Sequence, residues 1–233
     1  MSVDARLQEL QESGDVQKRK LDSILLRYIA RRVHLTLRQL DHHPDSTRKI
    51  RPLVLHLQER RGHIHRLVLY QPQEILAHRP LYFVGFLSKK QKQIRPSILQ
   101  AIGRADKKLV KDLANVPGIL SYSSLELRNG DWCNLVVLGD AGAKAHLKSS
   151  ETHQQAAYHL SHSYYKWIRL HEGVMPQGLD HMEMQLQKSR YYTFHQGQSR
   201  PSVRELVYEV PSRVQPLPNA AMLNYLPANL NAL

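Results

Sequence analysis

His146 and His153 stand seven positions apart in the stretch from Asp140 to Ala156. Seven residues of helix are close to two turns, so both rings would share one face, either as ligands and proton carriers or simply in solvent. His159 and His162, at i and i+3, could share a metal from a helix face, but no third ligand is visible and no metal site is expected. His63 and His65 alternate and would point the same way on a strand. Arg169 and His171 also alternate. An arginine can grip a carboxylate with two parallel bonds, and a histidine can move a proton near neutral pH. The competing role for both is cross-strand pairing with Glu126 or Glu172. Trp132, Tyr165 and Trp167 supply flat apolar surfaces and Asn134 an amide, a set that would orient a planar ligand or form the core of an interface. Cys133 has no cation beside it in sequence and reads as a small buried hydrophobe.

These side chains need a frame, and the pattern supplies one. Residues 4–40 read as a basic amphipathic helix, with Leu21, Ile24, Leu25, Tyr28, Val33 and Leu35 at helical spacings and an interruption near Gly14. Such a helix packs its apolar stripe on its own core or docks on a partner or an anionic membrane. Leu53–Leu57 and Ile64–Tyr70 read as a hairpin joined by Glu59–Gly62, and 71–80 as a connector. From Leu81 the order is a strand to Leu87, a basic loop at 88–96 and a helix from Pro96 to about Asn115. Its expected stripe is Ile98, Leu99, Ile102, Leu109, Val110 and Leu113. Strands at 119–127 and 132–138 flank an Asn-Gly turn, a second helix runs from Ala141 to His162, and a strand from Tyr164 to His171. Residues 181–195 and 203–210 would add strands, and 211–233, with four prolines, an irregular tail.

This is an α+β chain with a ferredoxin-like βαββαβ core at 81–175. Residues 1–80 form a helix and hairpin extension, and 176–233 form additional strands and a tail. In that plan both helices cover one sheet face. Ile168 and Leu170 would face them, leaving Tyr165, Trp167, Arg169 and His171 on the open side. On the strand at 132–138, Trp132, Asn134 and Val136 form one set and Cys133, Leu135 and Val137 the other, and the pattern leaves open which set faces the helices.

Ala145-His146-Leu147, followed at His153 by another histidine after a Leu-Val-Val-Leu strand, resembles the dimeric α+β barrel proteins of the antibiotic-biosynthesis-monooxygenase type over about residues 81–171. The spacing departs from that family by a short insertion between the histidines. The resemblance implies a homodimer whose facing sheets enclose a planar or aromatic ligand, with haem possible as a cofactor but not required, and perhaps monooxygenase-type chemistry at His146, His153, Arg169 and His171. The alternative is a nucleic-acid-binding module. Leu81-Tyr82-Phe83-Val84-Gly85-Phe86 is similar to the first strand of RNA-recognition motifs, although the strand at 130–136 lacks that module's basic and aromatic signature.

Composition limits the choices. The 233 residues are 42% hydrophobic and 23% charged, ordinary for a folded protein. No run approaches the roughly 18 apolar residues of a membrane-spanning helix, and the polar start is unlike a secretory signal. One cysteine excludes an internal disulfide and thiolate metal clusters, and a cytoplasmic location is expected. Residues 61–115 hold 11 basic and 3 acidic side chains, +8 of the total +13. Lys89, Lys90, Lys92, Arg95, Arg104, Lys107, Lys108 and Lys111 make a patch suited to an anionic partner, nucleic acid or membrane surface, or a solvated helix face. No phosphate-binding glycine loop, nucleophile elbow or glycosidase carboxylate pair is present.

Overall fold

The computed structural model describes residues 3–41, 52–59, 62–77, 80–127, 130–145, 160–195, 198 and 200–209, with side chains in the first helix from Gly14 onward. The elements in chain order are α1 (Val3–Asp41), β1 (Leu53–Gln58), β2 (Ile64–Leu69), α2 (Pro72–Ala77), β3 (Leu81–Lys90), α3 (Pro96–Leu113), β4 (Ile119–Glu126), β5 (Trp132–Leu138), α4 (Ser161–Tyr164), β6 (Tyr165–Met175), β7 (Gln185–Thr193) and β8 (Ser202–Val207).

The eight strands among the described residues join one sheet in the order β1-β2-β4-β5-β3-β6-β7-β8, and every neighbouring pair is antiparallel. The fold is therefore α+β, with the N-terminal helix, the hairpin and the two added strands all present. The hairpin and the last two strands extend one continuous sheet on both sides of the strands from 81–175.

Most sequence expectations for single elements hold, and the departures have local causes. α1 runs through Gly14 without a break, because one glycine costs a helix only about 1 kcal/mol. The connector holds a short helix, α2, because Ile75 is fully buried and its amide reaches the Gln71 carbonyl. β3 continues through Lys89 and Lys90, which pair with Trp167 and Tyr165. The helix at 96–113 ends as expected at Val116-Pro117-Gly118, where Gly118 takes a φ of +76°. Of the helix expected at 141–162, residues 141–145 and 160–162 lie among the described residues, and helical turns occur there at Ala143–Ala145 and at Ser161–Tyr164. Asp140 caps the first of these by accepting from the Gly142 and Ala143 amides.

Each sheet face has its own cover. On one face Leu67, Leu69, Phe83, Leu125, Cys133, Leu135 and Val137 pack against Leu26, Ile29, Ala30, Val33 and Leu37 of α1. On the other, Val68, Tyr122, Val136 and Leu138 pack against Leu109, Val110 and Leu113 of α3. α1 crosses its face obliquely. Asp15 pairs with Arg204 in β8, Asp22 with Arg169 in β6, Leu26 sits over Gly85 in β3, and Arg32 reaches Glu59 just after β1. Gly85 is what lets Leu26 descend, since a Cβ there would lie 2.6 Å from both Leu26 methyls.

The expected stripes need two corrections. Leu21, Ile24, Tyr28 and Leu35 lie on the outer side of α1, 42–60% exposed, while Leu26, Ile29, Ala30, Val33 and Leu37 are the buried set. Apolar residues occupy most of this helix's circumference, so spacing alone admits two stripes. On α3, Leu99 is exposed and Leu113 buried.

Candidate functional site

The sheet face expected to lie open is the one beneath α1. Trp167, Arg169 and His171 point to it, and there they meet a partner from 147 residues away. Asp22 is the one acidic residue between Val16 and Leu40. It lies on the buried side of the helix, 1% exposed. Its carboxylate accepts two bonds of 2.6 Å from the Arg169 guanidinium and one of 2.9 Å from His171 Nε2. Because Asp22 only accepts, Nε2 carries a proton, and Nδ1 faces the Ser189 hydroxyl at 2.7 Å. Arg169 also lies over the Trp167 ring, 4.0 Å from its centre. The two expected site residues on this strand are thus brought together, with Asp22 as partner in place of Glu126 or Glu172.

A second array lies further along the same face. The Glu59 carboxylate accepts from His65 Nδ1 at 2.7 Å, and His65 Nε2 faces the Ser123 hydroxyl at 2.8 Å. Glu59 also accepts from Arg32 at 2.9 Å and from Tyr28. Burial works to raise the Glu59 carboxyl, but bonds from Tyr28 and His65 and the charge of Arg32 outweigh it and hold the group below the usual carboxylate range. Burial pushes the His65 imidazole down, more than Glu59 pushes it up. The ring is therefore neutral, consistent with one nitrogen donating and the other accepting.

Carboxylate, imidazole and hydroxyl in series can activate a nucleophilic oxygen. Here Ser123 and Ser189 are both 0% exposed, and His65 and His171 at most 1%. No substrate can reach these hydroxyls in this conformation, and their evident work is to satisfy polar groups under α1.

The remaining expected residues fall elsewhere. Asn134 pairs across to Phe86 on the α3 side, so it does not share a face with Trp167, Arg169 and His171, and Trp132, of the same parity, goes with it. Tyr165 is likewise corrected to the α3 side. The β3–β6 pairing passes from Trp167 to Tyr165 across a register shift, so the usual alternation is broken at Lys166. Tyr165 then packs edge-on to Phe86, and burial drives its hydroxyl pKa upward. Trp132 lies within hydrogen-bonding reach of Tyr164. His146 and His153 lie outside the described residues, as does His159, while His162 packs edge-on against Phe194. Among the described residues no group of three His, Cys, Asp or Glu could hold a metal ion. Cys133 is fully buried, and burial pushes its thiol well up from the ordinary value.

The α3 side holds the arrangement that the sequence did not reveal. Arg66 grips Asp106 of α3 through two bonds of 2.8 Å and lies over the Tyr122 ring. The Tyr122 hydroxyl is pushed up to about 12 by burial, and Tyr70 donates to the Val110 carbonyl at 2.9 Å. These contacts fix the rotation of α3 about its axis. Asp106 is turned to the sheet, and Arg104, Lys107, Lys108 and Lys111 are left exposed outside. Lys92 and Arg95, in the segment leading into α3, are exposed as well. Lys89 is partly compensated by Asp131 at 4.0 Å.

No helix among the described residues is long and apolar enough to cross a membrane. No protein-family model, curated protein or solved structure matches this chain.

Proposed function

We propose that this chain is a binding protein for the phosphate backbone of nucleic acid, and that it binds through the outward side of α3 and the segment leading into it. The observation that carries this reading is the sorting of charge about α3. Residues 88–111 contain eight basic side chains and one acidic, Asp106, and Arg66 holds that acid against the sheet. Arg104, Lys107, Lys108 and Lys111 follow the i, i+3, i+4, i+7 pattern and share one exposed helix face of about 10 Å. Such a row suits contact with successive phosphates without reading bases.

The test is fluorescence anisotropy with a labelled 20-nucleotide RNA and its duplex DNA counterpart. Four phosphate contacts correspond to a slope of log affinity against log salt of about −3 to −4 on duplex. Replacing Arg104, Lys107, Lys108 and Lys111 together by Ala should weaken binding at least tenfold at 50 mM salt. Absence of binding at that salt, or wild-type affinity in the variant, would sink the proposal.

The fold reading behind this is also a proposal. Strands β4-β5-β3-β6 form a ferredoxin-like unit, to which the hairpin, β7 and β8 were added. Their chain order and antiparallel neighbours support it. On that basis a second reading stands: a homodimeric barrel of the antibiotic-biosynthesis-monooxygenase type holding a planar, haem-like ligand. Trp167 under Arg169 favours it as a flat, cationic seat. It requires α1 to leave the face that a second sheet would cover. Native mass spectrometry separates the two: a species of twice 27.0 kDa with a retained aromatic mass supports the barrel, and a bare monomer removes it.

A further inference from the structure

Among the described residues, the fold packs against one side of α1. Its outer side, from Lys20 to Arg38, rises about 27 Å and carries two parallel strips. Leu21, Ile24, Tyr28 and Leu35 form the first, all at least 42% exposed. Lys20, Arg27 and Arg31 form the second, displaced around the helix by roughly 20–60° from Ile24 in the opposite sense. No ion pair among the described residues involves these three cations. The only acid between Val16 and Leu40 is Asp22, which is buried on the opposite side.

Three physical features narrow the occupant. The apolar strip advances by 3, 4 and 7 residues, the spacing of a coiled-coil seam in which Arg31 takes the one position between Tyr28 and Leu35. It is one side chain wide, whereas a helix lying on a lipid surface offers a broad apolar face. Its cationic border has one sign throughout, so a second copy of this chain would set Lys and Arg against Lys and Arg.

We propose that the outer face of α1 docks an acidic amphipathic helix of another protein. Leu21, Ile24, Tyr28 and Leu35 interdigitate with that helix's apolar seam, and Lys20 and Arg27 from the flank, with Arg31 reaching sideways from the seam, pair with its flanking carboxylates. Tyr28 keeps its bond to Glu59 while its ring packs outward. This surface lies across the sheet from α3 and is independent of the nucleic-acid reading.

The experiment uses the full chain and a labelled 21-residue peptide of three heptads, with Leu at the seam positions and Glu on both flanks. Mutual repulsion of the glutamates keeps the peptide from pairing with itself at neutral pH. The expected result is saturable anisotropy with a gain in peptide helicity. Ile24→Ser with Leu35→Ser should weaken binding about tenfold or more while leaving the far-UV spectrum of the chain unchanged. A peptide of the same composition with its heptads scrambled should also lose affinity.

Four results would overturn the proposal. Equal binding of the scrambled peptide would mean charge attraction alone, and wild-type affinity in the double variant would mean the seam is not the site. Phosphatidylglycerol vesicles that bind the chain, lose it in the same variant and displace the peptide would make the occupant a membrane. A dimer in sedimentation that the variant dissolves would make it a second copy.

Discussion

Asp22 and Arg169 are 147 positions apart in the chain and meet through two parallel bonds of 2.6 Å beneath α1. The aspartate is 1% exposed and the guanidinium side chain 17% exposed. With His171 on the same carboxylate oxygen as one of those bonds, this contact fixes which side of α1 turns inward.

Removing Asp22 should therefore cost far more than a surface charge would. Asp22→Ala leaves Arg169 buried without its partner, and breaking such pairs destabilises by about 3–5 kcal/mol. Urea unfolding read by far-UV circular dichroism gives the number. A loss under about 1 kcal/mol would mean that solvent reaches Arg169 and the pair adds little.

Stability should fall as the medium is acidified below neutrality, and His65 should account for part of the fall. Its folded pKa lies below the ordinary 6.5 because of burial. Between those values the unfolded chain binds a proton that the folded one refuses, so stability drops as pH falls through 6.5, by at most about 1.4 kcal/mol per pH unit. Glu59, also lowered, adds a loss at more acid pH as the unfolded carboxylate, near 4.5, takes its proton first. Urea midpoints from pH 7.5 to 5.0 should show a shallower slope in His65→Gln than in wild type. Identical slopes would count against a neutral, buried imidazole.

Gly85 and Leu26 should be coupled. Gly85→Ala places a methyl 2.6 Å from the Leu26 methyls, and overpacking of this kind costs about 1–3 kcal/mol. Leu26→Ala removes the clash at the expense of a cavity, so the double variant should be more stable than the sum of the two single losses implies. Gly173→Ala should find no such relief, because its Cβ would meet the Gln185 carbonyl oxygen at 2.2 Å and the Phe83 ring at 2.6 Å. Additive losses at Gly85 and Leu26 in chemical denaturation would show that Leu26 can simply move aside.

Cys133 should behave as a reporter of unfolding. Burial raises its thiol and leaves it without solvent contact, so Ellman's reagent at pH 8 should react only as fast as the chain opens, and at once in 6 M guanidinium. Fast stoichiometric reaction of the native chain would place the thiol on a mobile surface.

Among the described residues, sequence alone determined the strands and the helices α1 and α3, and missed α2, whose six residues are too few to show a period. Alternating apolar residues in 64–70, 81–87 and 132–138 and the Pro96 start and Gly118 stop of α3 all act over a few residues, and each is legible where it stands. The sign and place of the basic excess were legible for the same reason. Tertiary structure decided the faces. Two apolar stripes on α1 satisfy one helical period, and only contact with Arg169, His171 and Gly85 selects the one holding Asp22. The clue in the sequence was an acid set among apolar neighbours at 22, 26, 29 and 33. Tyr165 left the side of Trp167 because of a register shift opposite Lys89 and Lys90, a pairing property that neither strand carries by itself. Asp106 likewise turned from a member of a charged helix into the partner of Arg66, 40 residues away. In each case the deciding partner is distant in the chain, and periodicity within one segment carries no information about it.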